Sequence, residues 1–380
     1  MMDKLGRYLD YRIRNFSPAW FAANMGVGIT AAILYKFPFQ ARWLEILGIV
    51  VWAINLGLFG LFFTMFVLRF IRYPDQFWRM LYHPGQSAFL GCLPMGYTTL
   101  INMVHYIWGH KAWVPVYVLW WISVISSLLC VWGVVFVMFS SQKRSIETLN
   151  ATILLPVVTV VVSGATGGLI ASAQPAGLQP STLIVSFLIW ANGQAVGLSF
   201  IAIYMYRLLV SNLQPRMITF SVLLPIGPLG QGAFGIQCIG QVVEEILKRD
   251  TNVDEAVVEA VKYGSVFIAL FLVGYGTFWV VMSALTTLYL KPTQFHMSWW
   301  GLTFPLGTYV VAWYKLAEIL QITTFKAIGA VFGVIVALNV VYCSIASIYY
   351  AVIKSDLFGH AEAETWPAEK SEQSSQESKV

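Results

Sequence analysis

Long apolar stretches are the feature that most restricts how this sequence can fold. Each holds about 20 or more mostly apolar residues, the length that a helix needs to cross the hydrocarbon core of a bilayer. Only 11% of the 380 residues are charged, and a soluble fold could not cover its surface with so few charges. The sequence therefore predicts an all-α integral membrane protein with ten transmembrane helices. The predicted spans are 17–36, 43–69, 85–108, 113–139, 149–172, 181–209, 216–241, 262–289, 298–320 and 326–352.

The positions of the basic residues predict the orientation, because cytoplasmic loops are enriched in Lys and Arg. With the N-terminus placed inside, 15 of the 23 Lys and Arg residues fall in inner segments. We therefore predict that both termini are cytoplasmic. The predicted organisation is a cytoplasmic N-terminal segment over 1–16, a ten-helix transporter domain over 17–353 and a disordered cytoplasmic tail over 354–380.

A short motif recurs in every second span. Its anchors are Asn24, Pro94, Pro156, Pro225 and Pro305. Their separation corresponds to one helical hairpin per repeat. A proline inside a helix removes a backbone hydrogen bond and kinks the helix. The repeat predicts five helical hairpins in a pseudo-five-fold arrangement, in which the five inner, kinked helices line a pore.

Neutral polar groups, rather than charges, lie near these anchors. The candidate path residues are Gly26, Thr98, Asn102, His105, Gln231, Thr308 and Tyr309, together with the five anchors. A charge at the bilayer centre costs about 2.5–3.5 kcal/mol, and uncharged donors suit an anion that must not bind too tightly. Each residue also has an ordinary explanation as a packing group. His105 in particular is either a core histidine or a pH-sensitive pore residue.

Two phenylalanines lie beside predicted kinks. Phe304 immediately precedes Pro305, and Phe234 lies near the break in the seventh span. A large apolar ring can close a narrow lumen by dewetting, although most phenylalanines in membrane helices serve packing. Arg12 and Arg14, ahead of the first span, form a candidate basic mouth on the cytoplasmic side.

The sequence gives no indication of an enzyme, a receptor or a nucleic-acid-binding protein. It has no phosphate-binding loop of the GxxxxGK[ST] type, and its five histidines are scattered rather than clustered as metal ligands. A receptor would lack the hairpin period. We therefore expect no enzymatic activity, no cofactor, no metal ion and no nucleic-acid partner.

These motifs resemble the tellurite-resistance/dicarboxylate transporter family, which includes the plant slow anion channels. The resemblance covers roughly residues 12–353, and the stretches over 15–28, 90–96 and 225–232 look most like the fungal sulfite efflux pumps within that family. It implies ten spans arranged as five hairpins around a pore, and a trimer in which each subunit has its own pore. The run over 299–305 matches the region of the family's gating phenylalanine, which implies a gate at Phe304.

The resemblance implies export of a small inorganic anion, sulfite or bisulfite, across the plasma membrane, which would confer sulfite resistance. A chloride or nitrate channel and a C4-dicarboxylate carrier of the same fold are the alternatives. A dicarboxylate carrier should offer basic groups for two carboxylates. The centres of the inner spans have none, which favours a small anion. The membrane lipid is the other expected partner.

Overall fold

The computed structural model describes residues 2–249, 252–292 and 295–353, and the predicted disordered tail over 354–380 lies outside them. All regular elements in the described part are helical. The α-helices are α1 (Met2–Arg14), α2 (Phe21–Tyr35), α3 (Arg42–Arg72), α4 (Asp75–Tyr82), α5 (Pro84–Ser87), α6 (Cys92–Trp108), α7 (Trp113–Leu128), α8 (Val135–Ser140), α9 (Leu154–Ala171), α10 (Gln179–Ser211), α11 (Ile226–Leu247), α12 (Glu255–Leu290), α13 (Thr303–Leu320) and α14 (Thr323–Ile348). A π-helical segment, Leu129–Val134, joins α7 to α8.

Eight helical stretches of the described chain are long and apolar enough to cross a membrane. One of them, Pro84–Ser140, contains both the third and the fourth predicted spans. Gly109 separates these two spans, and its φ of +50° is a backbone conformation that glycine adopts at little cost. The multi-pass helical character predicted from the sequence is therefore confirmed.

The ninth predicted span, 298–320, is helical but is not among those eight stretches. It does not reach the hydropathy of those eight stretches, and Lys315 and Glu318 interrupt the C-terminal half of its helix. Its helix α13 is nevertheless buried along most of its length. Packing against protein rather than lipid explains why such a helix tolerates a lower hydropathy.

Five helices form a closed ring inside the protein. Helices α2, α6, α9, α11 and α13 contact one another in chain order, and α13 returns to contact α2. Each ring helix also packs against the next long helix, which is α3, α7, α10, α12 or α14. The most apolar stretch of α9 is 94% buried within the protein, against 11% for α3. The ring helices therefore face protein, and the other five cover them.

Each ring helix begins with a short 3₁₀ segment. These segments are Pro18–Trp20, Ala88–Gly91, Ala151–Ile153, Arg216–Leu223 and Met297–Leu302. The repeated prolines lie where the 3₁₀ geometry changes to α, at the third residue of α6, α9 and α13 and directly before α11. We expected kinks near the helix centres, but the prolines occupy the first turn. The chain is helical on both sides of these prolines, because the first residue of the α-helix donates its N–H to the preceding 3₁₀ segment, as Cys92 does to Leu90 and Thr303 does to Trp300. Proline itself has no N–H to donate.

A threonine hydroxyl follows the proline in three ring helices and donates to the proline carbonyl oxygen. The contacts are Thr98 to Pro94 (2.6 Å), Thr159 to Pro156 (2.6 Å) and Thr308 to Pro305 (2.7 Å). These hydroxyls satisfy backbone oxygens near the junction between the 3₁₀ and α segments. Such local bonds stabilise an irregular backbone where no bulk water is present.

The N-terminal segment forms a helix that the sequence analysis did not predict. Helix α1 packs against α3, and Asp10 accepts hydrogen bonds from Arg72 (3.1 Å) and Tyr73 (2.7 Å). Arg12 is buried and donates to the carbonyl oxygen of Ala351 (3.1 Å), close to the end of the described chain. The two ends of the described chain are therefore joined on one side of the molecule.

Candidate functional site

Two cavities lie at opposite ends of the helix ring. The N-end cavity has a volume of about 320 Å³ and is lined by the beginnings of all five ring helices and by the 3₁₀ segments that precede α6, α9, α11 and α13. The C-end cavity has a volume of about 460 Å³ and is lined by residues further along the same five helices, by the connection that follows α2 and by Lys326 of α14. Because every ring helix contributes to both cavities, a line joining the cavities runs along the axis of the ring.

The wall of the N-end cavity is mainly apolar. Met25, Met95, Trp300 and Phe304 contribute to it, and no Lys, Arg, Asp or Glu is among its described lining residues. The N-terminal ends of the ring helices meet here, and such ends carry a partial positive charge. The cavity therefore combines apolar side chains with a weakly positive backbone field.

The C-end cavity is more polar and contains ionisable side chains. Lys36, Lys315, Lys326 and Glu318 line it, as does His105. Lys36 follows the last residue of α2, and burial lowers its pKa. The charge of Glu318 raises the pKa of Lys36, and the charge of Lys315 lowers it. The charges at this end of the ring therefore act on one another.

One face of α11 connects the two cavities. Gly227 lines the N-end cavity and Phe234, seven residues later, lines the C-end cavity. Gln231 lies between them at helical spacing, so it shares that face. Its side chain is buried, and its Oε1 has no hydrogen-bond partner among the described residues. An amide without a full set of partners therefore lies between the two cavities.

Helix α13 shows the same arrangement. Phe304 and Pro305 line the N-end cavity, and Val311 lines the C-end cavity. Thr308 lies between them on the same face. Its hydroxyl donates to the Pro305 carbonyl oxygen at 2.7 Å and lies 3.4 Å from the carbonyl oxygen of Ile226, the first residue of α11, so it points at the neighbouring ring helix.

Three predicted path residues bond to an outer helix, which covers their own ring helix for Asn24 and Thr98 and covers the neighbouring ring helix α11 for Tyr309. The pairs are Asn24 with Asn55 (3.1 Å), Thr98 with Ser123 (2.9 Å) and Tyr309 with Thr277 (2.8 Å). A fourth, Asn102, accepts from Thr166 of the neighbouring ring helix at 2.9 Å. Polar side chains commonly connect membrane helices in this way. None of the four lines either cavity.

The remaining predicted residues have varied positions. Gly26 lies where α2 approaches α13, and a Cβ atom there would be 2.3 Å from the Thr303 hydroxyl oxygen. Pro94, Pro156 and Pro225 line neither cavity.

The two predicted mouth residues also lie outside the cavity walls. Arg12 is buried against the C-terminal end of the described chain. Arg14 is exposed, with its guanidinium carbon 5.7 Å from the centre of the Tyr73 ring. The structure thus brings Phe234 and His105 to one cavity and Phe304 and Pro305 to the other.

Sequence reasoning missed the lysines of the C-end cavity. None of Lys36, Lys315 and Lys326 was among the candidate site residues. They come from three separate helix ends. The available signal was that Lys36 and Lys315 both lie at the same end of ring helices.

The fold and its cavities define the class of this molecule as a multi-pass helical membrane protein with a candidate path along a helix ring. A family model described as "Voltage-dependent anion channel" (SLAC1) matches residues 15–348. The chain therefore belongs to this family, and the resemblance found in its sequence motifs is confirmed. The family is one of channels and transporters rather than of enzymes.

Several named relatives match nearly the whole chain. It is 33% identical to the sulfite efflux pump SSU1 of Arthroderma otae over 90% of this chain and 92% of that protein. It is 25% identical to the protein of the same name from Saccharomyces cerevisiae, with 92% of each chain covered. It is also 25% identical to the malic acid transport protein of Schizosaccharomyces pombe, over 87% of this chain and 77% of that protein.

Proposed function

We propose that this protein exports sulfite or bisulfite across the plasma membrane along the axis of its helix ring, and that it thereby confers sulfite resistance. The observation that carries the proposal is that all five ring helices line both the N-end and the C-end cavity. Relatives named sulfite efflux pumps, matched over most of their length, support the choice of anion.

The proposed architecture is ten membrane-spanning helices in five hairpins related by a pseudo-five-fold axis. Its support is the closed contact of the ring helices and the 3₁₀ segment that opens each of them. The count of ten treats α6 and α7 as separate spans and includes α13. By family resemblance, we propose a homotrimer with one path in each subunit.

In the proposed orientation both termini are cytoplasmic, so the N-end cavity opens to the cytoplasm. The positive ends of the ring helices attract the anion, and Arg12 and Arg14, which lie outside the cavity wall and ahead of α2, add positive charge to the cytoplasmic side. It then passes Phe304, the amide of Gln231 and Phe234. An inside-negative potential of about 100 mV favours export of a monoanion by about 2.3 kcal/mol, so no ATP is required.

Phe304 is the proposed main gate. It lines the N-end cavity directly before the Pro305 junction, and it is buried among the ring helices. Phe234 is the proposed second barrier at the start of the C-end cavity. A ring in each position narrows the path with apolar surface, which excludes water and the hydrated anion until a side chain moves.

Transport of malate is the alternative that a specific observation favours, since one matched relative is named a malic acid transport protein. A dicarboxylate needs two cationic partners. The N-end cavity has none among its described lining residues, whereas the C-end cavity has three lysines. A chloride or nitrate channel of the same fold is the other alternative. The apolar cytoplasmic end makes us favour the small anion.

The test is anion efflux from vesicles that contain the purified protein. Vesicles loaded in parallel with sulfite, chloride, nitrate or malate are diluted into anion-free medium under an imposed inside-negative potential. We expect sulfite efflux well above that of protein-free vesicles and above that of the other anions. Absence of sulfite efflux, or faster efflux of chloride, nitrate or malate, would contradict the proposed substrate.

A further inference from the structure

The C-end cavity carries an excess of positive charge. Lys36, Lys315 and Lys326 line it, whereas Glu318 is the one carboxylate among its described lining residues. The Lys315 side chain is only 11% exposed, and that of Glu318 is 60% exposed. The ammonium group of Lys315 thus lies inside the protein wall of the cavity, and its carboxylate partner lies toward solvent.

The lysines retain capacity for a further partner. Glu318 Oε1 accepts one hydrogen bond from Lys315 Nζ at 2.8 Å, and an ammonium group has three donors. The Nζ atom of Lys36 lies 5.0 Å from the centre of the Tyr106 ring. Within the described part of the chain, neither Lys36 nor Lys326 forms an ion pair with a carboxylate.

The position of these lysines in the fold has a physical consequence. The ring helices end at this cavity, and helix C-terminal ends carry a partial negative charge that repels anions. Lys36 directly follows the end of α2, and Lys315 lies five residues before the last residue of α13. Their positive charges offset the partial negative charge of these helix ends. The N-end cavity needs no such charges, because the helix ends there are positive.

We propose that the C-end cavity is an anion-binding site in which Lys36, Lys315 and Lys326 hold sulfite after it has passed the constriction, and that Glu318 weakens this site. The identity of the anion rests on the proposed function. A conduction site must bind the ion strongly enough to attract it and weakly enough to release it. Glu318 neutralises part of the Lys315 charge, and it thereby keeps the affinity of the site for the anion low enough for release.

The test measures binding directly and needs no transport. The purified full-length protein in detergent is titrated with sodium sulfite at constant ionic strength, and binding is followed by calorimetry. We expect Lys36→Met and Lys315→Met each to raise the dissociation constant about tenfold, because each removes a charge a few ångströms from the anion. Lys111→Met is the matched control, since Lys111 is exposed at the same end of the ring and outside the cavity.

The Glu318→Gln variant makes the test sharper, because the proposal predicts that this variant binds sulfite more tightly than wild type. Its side chain is mostly exposed, so the fold should tolerate the change. Freeing Lys315 should lower the dissociation constant about threefold to tenfold, and sulfite efflux should then saturate at a lower concentration. A purely structural role of the ion pair would not tighten binding.

The outcomes separate this site from the proposed function. Unchanged affinity in both lysine variants, or no gain in Glu318→Gln, would overturn the site even if the protein exports sulfite. Lysine-dependent sulfite binding by a protein that exports no sulfite would overturn the export proposal and leave the site standing. Equal loss of affinity in Lys111→Met would show that general surface charge, rather than the cavity, attracts the anion.

Discussion

Phe304 and Phe234 line opposite cavities of one helix ring, Phe304 at the N-end and Phe234 at the C-end. Both side chains are buried, and they come from adjacent ring helices, α13 and α11, which contact each other directly. On the proposed path along the ring axis, an anion would meet these two apolar rings in succession. This arrangement makes the two positions separable by mutation.

Replacing Phe304 by alanine should raise sulfite efflux several-fold, because removal of the ring widens the apolar constriction. The measurement is the initial efflux rate from sulfite-loaded vesicles at equal amounts of protein. Phe271→Ala is the matched control, since Phe271 is 64% exposed on the outer helix α12. We expect no change in that variant.

Loss of a buried phenylalanine also destabilises a protein, by about 3–5 kcal/mol for truncation to alanine. Phe304→Leu keeps most of the apolar volume and should give a smaller rise in efflux. Wild-type rates in both Phe304 variants, measured on folded protein, would remove Phe304 as the gate.

Replacing Gln231 by leucine should reduce sulfite efflux about tenfold or more. The change preserves most of the side-chain volume but removes the amide, and a hydrogen bond to a charged group contributes about 1.5–3 kcal/mol. Gln194→Leu is the matched control, because Gln194 is also buried with an unpartnered amide but belongs to the outer helix α10. If both variants lose efflux equally, the amide of Gln231 has no special role.

Thr308→Val should lower stability with little effect on transport. The hydroxyl donates to the Pro305 carbonyl oxygen, and loss of one such bond costs about 1 kcal/mol. The thermal unfolding midpoint should fall, Thr308→Ser should restore it, and the efflux rate per folded protein should stay close to wild type. A large loss of efflux at unchanged stability would instead assign Thr308 to the anion path.

Gly230→Ala should destabilise the ring, because α11 and α13 approach closely at this point. A Cβ atom on Gly230 would lie 2.6 Å from the backbone nitrogen of Tyr309, and overpacking of this kind typically costs about 1–3 kcal/mol. Gly274→Ala is the control, since nothing lies within 4 Å of its added Cβ. Higher helix propensity should leave that variant as stable as wild type or slightly more so. Equal unfolding midpoints in the two variants would contradict the close approach.

The membrane class and most of the helices could be predicted from the sequence, because each is indicated by residues that are neighbours in the chain. A long run of apolar residues indicates a membrane-spanning segment, and the proline motif indicates where the inner helices begin. The expected position of the breaks was less accurate. Pro94, Pro156 and Pro305 lie in the first turn of an α-helix rather than in its middle, because a 3₁₀ segment precedes each helix and extends the apolar run.

The candidate site depended more strongly on tertiary structure. The residues Asn24, Thr98 and Tyr309 are polar and lie in the correct helices, yet each bonds to an outer helix. A ring helix presents side chains on every side, and its rotation about its own axis is decided by packing against four or more neighbours. When nearly every position of a helix is apolar or small, the sequence pattern does not indicate which side of the helix faces the ring axis.

By itself, the sequence determined the membrane class, the family and the absence of charge from the centres of the inner helices, since these follow from composition and local order. Only the tertiary structure decided which of those residues reach the two cavities, and it joined Lys36, Lys315 and Lys326 from three helix ends at one of them. The physical reason is that a site shared by distant segments exists only after their helices have packed.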